Sequence, residues 1–146
     1  MYYSADKLFY EDLSSGYTFV SADKICENLL HLNIRITEEI KWFYCEYTKG
    51  YALLAANDNF RIWSIKDIEK ENKQTEVTIT PNEFYFSDVT FWCYCLYFKI
   101  IDDFTTEVWG DYHQNGKHLL SPSIREWIYR LNRNWDDGLY CCRLPN

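Results

Sequence analysis

Phe91-Trp-Cys-Tyr-Cys-Leu-Tyr-Phe-Lys-Ile100 holds a single charged residue, Lys99, close to its end. In an extended chain, successive side chains point to opposite faces. One face then carries Phe91, Cys93, Cys95 and Tyr97, and the other Trp92, Tyr94, Leu96, Phe98 and Ile100. Both are apolar. A strand without a polar face has to be covered on both sides. The spacing therefore predicts a central strand with helices or a second layer on each face, the organising element of an α+β domain.

Helix starts are legible on both sides of this strand. Ser4-Ala-Asp-Lys7 and Ser21-Ala-Asp-Lys24 each offer a serine N-cap with an aspartate in the first turn. The first predicts a short helix to about residue 12, broken at Ser14-Ser15-Gly16. The second predicts a helix over 22–31, buried through Ile25, Cys26, Leu29 and Leu30. Thr37 caps a third helix, whose apolar stripe is Ile40, Phe43, Tyr44 and Tyr47 and whose stop is Lys49-Gly50. Short strands are expected over 51–55 and 60–63, separated by an Asn57-Asp58-Asn59 turn. Ser64, with Asp67 three residues on, opens a charged surface helix to about residue 72. Val77 and Ile79 alternate with polar residues before Pro81. Strands over 84–86 and 107–109 and a hairpin-type turn over 114–117 follow. The Ser123–Glu126 capping box then precedes the stripe Ile124, Trp127, Ile128 and Leu131. No linker or low-complexity segment interrupts this order, so residues 1–146 read as one domain with its core over about 20–133.

Six Trp, thirteen Tyr and nine Phe in 146 residues supply that core and leave some aromatic surface exposed. A net charge of −7 disfavours nucleic acid, whose phosphates a binder has to neutralise. It also disfavours an anionic membrane surface, and it suits a basic protein partner. Residues 1–7 show neither a basic nor an apolar signal region, so no secretory signal is predicted. The apolar runs are too short to cross a bilayer. Cys26, Cys45, Cys93, Cys95, Cys141 and Cys142 include no CxxC, and the three histidines lack zinc-ligand spacing. Cys93 and Cys95 lie on one face of one strand, roughly 7 Å apart by strand rise, which is poor for a disulfide. Reduced cysteines in a cytoplasmic protein, with no metal and no cofactor, are the expectation.

Three segments in order resemble the SUKH superfamily, which includes fungal cell-wall-assembly regulators and bacterial immunity proteins. They are the helix ending at Gly50, the Phe60-Arg-Ile-Trp-Ser-Ile-Lys-Asp-Ile68 segment, and the Val108-Trp-x-x-Tyr112 strand followed by Ser123-x-x-Glu-Trp-Ile128. The chain departs from the family at Arg35-Ile36-Thr37, where Leu-Pro is common, and in having only Gly50 where a Gly-rich run often occurs. The resemblance implies a mixed, mainly antiparallel sheet with helices packed around it. It also implies no enzymatic activity, but stoichiometric binding of a cognate toxin, often a nuclease. The alternative it implies is an intracellular scaffold or regulatory interaction protein.

Charge is segregated along the chain. Glu83, Asp88, Asp102, Asp103, Glu107 and Asp111 face Lys99 alone, whereas Lys117, Arg125, Arg130 and Arg133 face only Glu126. Asp88, Asp102, Asp103, Glu107 and Asp111 are therefore candidate contacts for a basic toxin cleft, and Trp135 is a candidate aromatic hot spot. The plain alternative is a solvated rim of loops. Adjacent Asp102 and Asp103 would face opposite ways on a strand, which is poor geometry for paired catalytic carboxylates. No phosphate loop or nucleophile elbow occurs.

Overall fold

A computed structural model of the chain describes residues 9–11, 21–49, 53–55, 60–74, 80–89 and 94–133. Seven strands form one sheet in chain order: β1 (Phe9–Glu11), β2 (Leu53–Ala55), β3 (Phe60–Ile62), β4 (Glu83–Val89), β5 (Tyr94–Ile100), β6 (Thr106–Asp111) and β7 (Lys117–Ser121). Each pair is antiparallel. Among the described residues the sheet is thus antiparallel throughout, with helices packed around it in an α+β fold. The described part of the 91–100 stretch is β5, hydrogen-bonded to β4 on one side and β6 on the other, with every residue but Lys99 buried. Phe91, Trp92 and Cys93 lie outside the described residues.

Local capping sets the helices. In α1 (Ala22–His31), the Ser21 side chain accepts the Lys24 N–H at 3.4 Å. Thr37 Oγ1 accepts the Ile40 N–H at 3.2 Å ahead of α2 (Glu38–Trp42), which continues as a π-helical segment over Phe43–Tyr47. Lys49, which follows Thr48, is left-handed with φ 54°, and Gly50 lies outside the described residues. Ser64 and Asp67 form a reciprocal capping box ahead of α3 (Ile65–Gln74), at 3.1 and 3.2 Å. Ser123 Oγ accepts the Glu126 N–H at 3.1 Å ahead of α4 (Ile124–Arg133), and Glu39 of α2 accepts the Ile124 N–H at 2.7 Å.

Two expectations change. Residues 9–11 are a strand, not the end of a helix: the aromatic pair Phe9-Tyr10 favours extended chain, and its partner β2 supplies the ladder that a serine cap alone cannot outweigh. Leu30 is 62% exposed, because α1 buries a narrow stripe through Ile25 and Leu29.

One face of the sheet carries an aromatic core. Phe86 and Phe98 stack with centroids 3.7 Å apart. Phe43 meets the edge of Phe98 at 5.1 Å, and Trp127 of α4 meets Phe86 at 5.4 Å. All four are fully buried, and each such side chain stabilises by about 1.5–3 kcal/mol. A β-bulge between Tyr85 and Ser87 lets Phe86 join this face while the rest of β4 keeps its pairing. On β6, Gly110 leaves room for the Tyr112 ring, since a Cβ there would lie 2.6 Å from it.

The second face carries charged residues among its rings. Its paired rows are Tyr85, Tyr97 and Trp109, then Glu83, Lys99 and Glu107, then Arg61, Asp88, Cys95 and Asp111. Long side chains lie flat over the rings: Lys99 Nζ is 5.2 Å from the Trp109 centroid, and Lys117 Nζ is 5.2 Å from that of Tyr97. Trp109 is therefore half-buried on this face rather than in the core. Among the described residues, no helix is long and apolar enough to cross a membrane.

Candidate functional site

Strand β5 sorts the acidic residues into two groups. Cys95 is opposite Asp88 on β4 and opposite Asp111 on β6, so these two carboxylates flank one strand position on the second face. Asp88 is 4% exposed. It accepts the Arg61 Nε–H at 2.9 Å and the Trp63 indole N–H at 2.6 Å. Glu71 of α3 lies 3.6 Å from the same guanidinium. Burial works against the Arg61 charge, but the hydrogen bond and charge of Asp88, with Glu71 behind them, hold it above its ordinary value. Asp111 accepts the Tyr85 hydroxyl and, at 3.1 Å, the His113 backbone N–H. Burial, then the charges of Asp88 and Asp111, pushes the Cys95 thiol up to about 12, so it stays protonated and inert. This end of the sheet satisfies its own charges.

The other end presents its acids to solvent. The β5–β6 turn presents Ile101, Asp102, Asp103 and Phe104, with Ile101 49% and Phe104 73% exposed. The turn is held rigidly from within. Asp102 Oδ1 accepts the Phe104 and Thr105 N–H groups at 2.8 and 2.7 Å, and these bonds hold its carboxyl below the usual carboxylate range. Ile101 N–H donates to the Thr105 carbonyl at 3.0 Å. The turn is also held from outside. Glu38 N–H, at the start of α2, donates to the Asp103 carbonyl at 3.1 Å, and Arg35 pairs with the Asp103 carboxylate. Beneath it, the buried Thr37 and Thr106 hydroxyls meet at 3.2 Å. Exposed Glu38 adds a further acid beside it.

Of the predicted contacts, Asp102 and Asp103 stand in this turn, and Glu107 lies near it opposite Lys99, accepting the Trp109 indole N–H at 3.2 Å. Asp88 and Asp111 are at the far end of β5, about 13 Å away by strand rise from Cys95 to Lys99. The structure thus brings three of the acids together and sets two apart. Trp135 lies outside the described residues. Sequence reasoning missed Phe104, Ile101 and Arg35. The first two flank the Asp102-Asp103 pair, which signals a turn, but as apolar residues beside an oily strand they read as core. Among the described residues, no three His, Cys, Asp or Glu side chains gather to hold a metal.

This arrangement offers a stiff, protruding aromatic ringed by carboxylates, suited to insertion into a pocket with a basic rim. A scan against protein-family models, a search of curated proteins and a search of solved structures each return no match.

Proposed function

We propose that this chain is a cytoplasmic immunity protein that neutralises a cognate toxin by stoichiometric occlusion, with the 101–104 turn as its main contact. The supporting observation is Phe104, 73% exposed on a turn whose backbone is pinned by Asp102 and by Glu38. An exposed large apolar side chain that is already ordered binds at little entropic cost. The carboxylates of Asp102 and Asp103 would steer a basic cleft toward it, and the ring would fill the pocket. The SUKH-like order of segments points to the same class of activity. It rests on sequence pattern alone.

The test is co-purification with the product of the neighbouring reading frame, followed by toxin activity and affinity measured across a salt series. Wild-type protein is expected to abolish the activity at one-to-one stoichiometry and to bind more weakly as salt rises. Changing Asp102, Asp103 and Glu107 to Lys should slow association and remove the salt dependence. Phe104→Ala should weaken binding at least tenfold. Unchanged affinity and salt slope in these variants would rule out the turn. A neighbouring product that neither binds nor is inhibited would remove the immunity reading itself.

A further inference from the structure

Two thiols face each other across the seam between α1 and the π-helical segment. Cys26 Sγ and Cys45 Sγ are 3.8 Å apart, which is van der Waals contact and about 1.8 Å more than a disulfide bond. Both residues are half-exposed and free. Cys45 Sγ also lies 3.8 Å from the Ala22 carbonyl oxygen. The protons can therefore run in one line, from Cys26 S–H to the Cys45 sulfur and from Cys45 S–H to Ala22.

Each thiol is placed by its own element. Buried Ile25 and Leu29 bracket Cys26 on α1, and buried Phe43 and Tyr44 precede Cys45. The sulfurs are already in contact, and a bond requires them to approach by about 1.8 Å more. The half-exposed position leaves the pair reachable by a small solute, unlike Cys95, which is buried in the sheet.

We propose that Cys26 and Cys45 are a disulfide-forming pair, closed by a hydroperoxide-class oxidant. One thiolate attacks a peroxide oxygen, the O–O bond breaks, and a sulfenic acid forms with release of hydroxide. The second thiolate attacks that sulfur, the S–S bond forms, and a second hydroxide leaves. The two thiol protons convert both hydroxides to water. Two thiols are oxidised, and one hydrogen peroxide is reduced to two waters. Burial, then the hydrogen bond and charge of Cys26, pushes the Cys45 thiol up to about 11. Thiolate is therefore scarce at neutral pH, and closure is a response to sustained oxidant rather than to brief exposure.

The experiment treats the full chain with hydrogen peroxide, blocks remaining thiols with iodoacetamide and digests with trypsin without reductant. Peptides 25–35 and 42–49 are expected as one linked species, separated by dithiothreitol. The oxidised protein should melt roughly 5–10 °C higher, as expected for closing a loop of about this length. Cys26→Ser should abolish both the linked species and the rise in melting temperature. Recovery of the two peptides separately, alkylated or over-oxidised to sulfinic acid, would overturn the proposal. So would either cysteine being linked to Cys93, Cys95, Cys141 or Cys142 instead. The peptide map needs no variant, so it stands even if a substitution impairs folding.

Discussion

Asp88 and Asp103 are both paired with an arginine, yet they occupy opposite energetic regimes. The Asp88 side chain is 6% exposed, and its partner Arg61 is also held by Glu71. The Asp103 side chain is 72% exposed, and its partner Arg35 is 41% exposed. Water screens the Asp103 carboxylate and is excluded from that of Asp88, although Arg61 itself is 32% exposed. A carboxylate that loses its partner inside the protein keeps its desolvation cost, whereas one at the surface is simply rehydrated. Identical ion pairs therefore act as framework at one end of β5 and as available surface at the other.

The strongest way to break this contrast is Asp88→Ala. It removes the nearest carboxylate from the Arg61 guanidinium and the Asp88 acceptor from the Trp63 indole N–H, and should cost about 3 kcal/mol in urea unfolding. A loss under about 1 kcal/mol would show that this end is not framework.

An intermediate effect is expected in alkali. The folded Cys95 thiol titrates at about 12 against an ordinary 9.0, because burial and then the two carboxylates disfavour the thiolate. The folded state holds its proton longer than the unfolded chain does. The contribution to stability is therefore complete below about pH 9 and is lost as pH rises toward 12. Stability measured across that range should fall less steeply in Cys95→Ala. Parallel slopes would mean that the fold does not hold the Cys95 proton.

The smallest effect sharpens the other side. Asp103→Ala and Phe104→Ser should each leave unfolding free energy within about 0.5 kcal/mol of wild type, since the pair is screened and the ring is exposed. A larger loss from Phe104→Ser would mean that the ring is packed, not presented.

The same divide explains what the amino-acid order reveals. Ser21, Thr37, Ser64 and Ser123 cap helices through bonds spanning three residues, so their role is legible from spacing alone. The 91–100 stretch announces a central strand because burial on both faces leaves no polar alternation. Phe9–Glu11 was not legible as a strand, because its partner β2 lies more than forty residues away and the Ser4 cap signal competes with the aromatic pair Phe9-Tyr10. The placing of Asp88 and Asp111 on either side of Cys95 required the register on both sides of β5, including a bulge that sequence does not signal. The exposure of Phe104 was hidden for another reason. A phenylalanine next to a core strand reads as core, and only the Asx-type turn made by Asp102 turns it outward.

Arg130 bears on how the last helix stays on the sheet. Among the described residues strand β7 ends the sheet, and both terminal nitrogens of Arg130 donate to the Leu120 carbonyl, at 2.5 and 2.8 Å. Leu120 is buried, and a buried carbonyl left without a donor is costly. The guanidinium from α4 therefore both satisfies that oxygen and fastens the helix to the strand it follows.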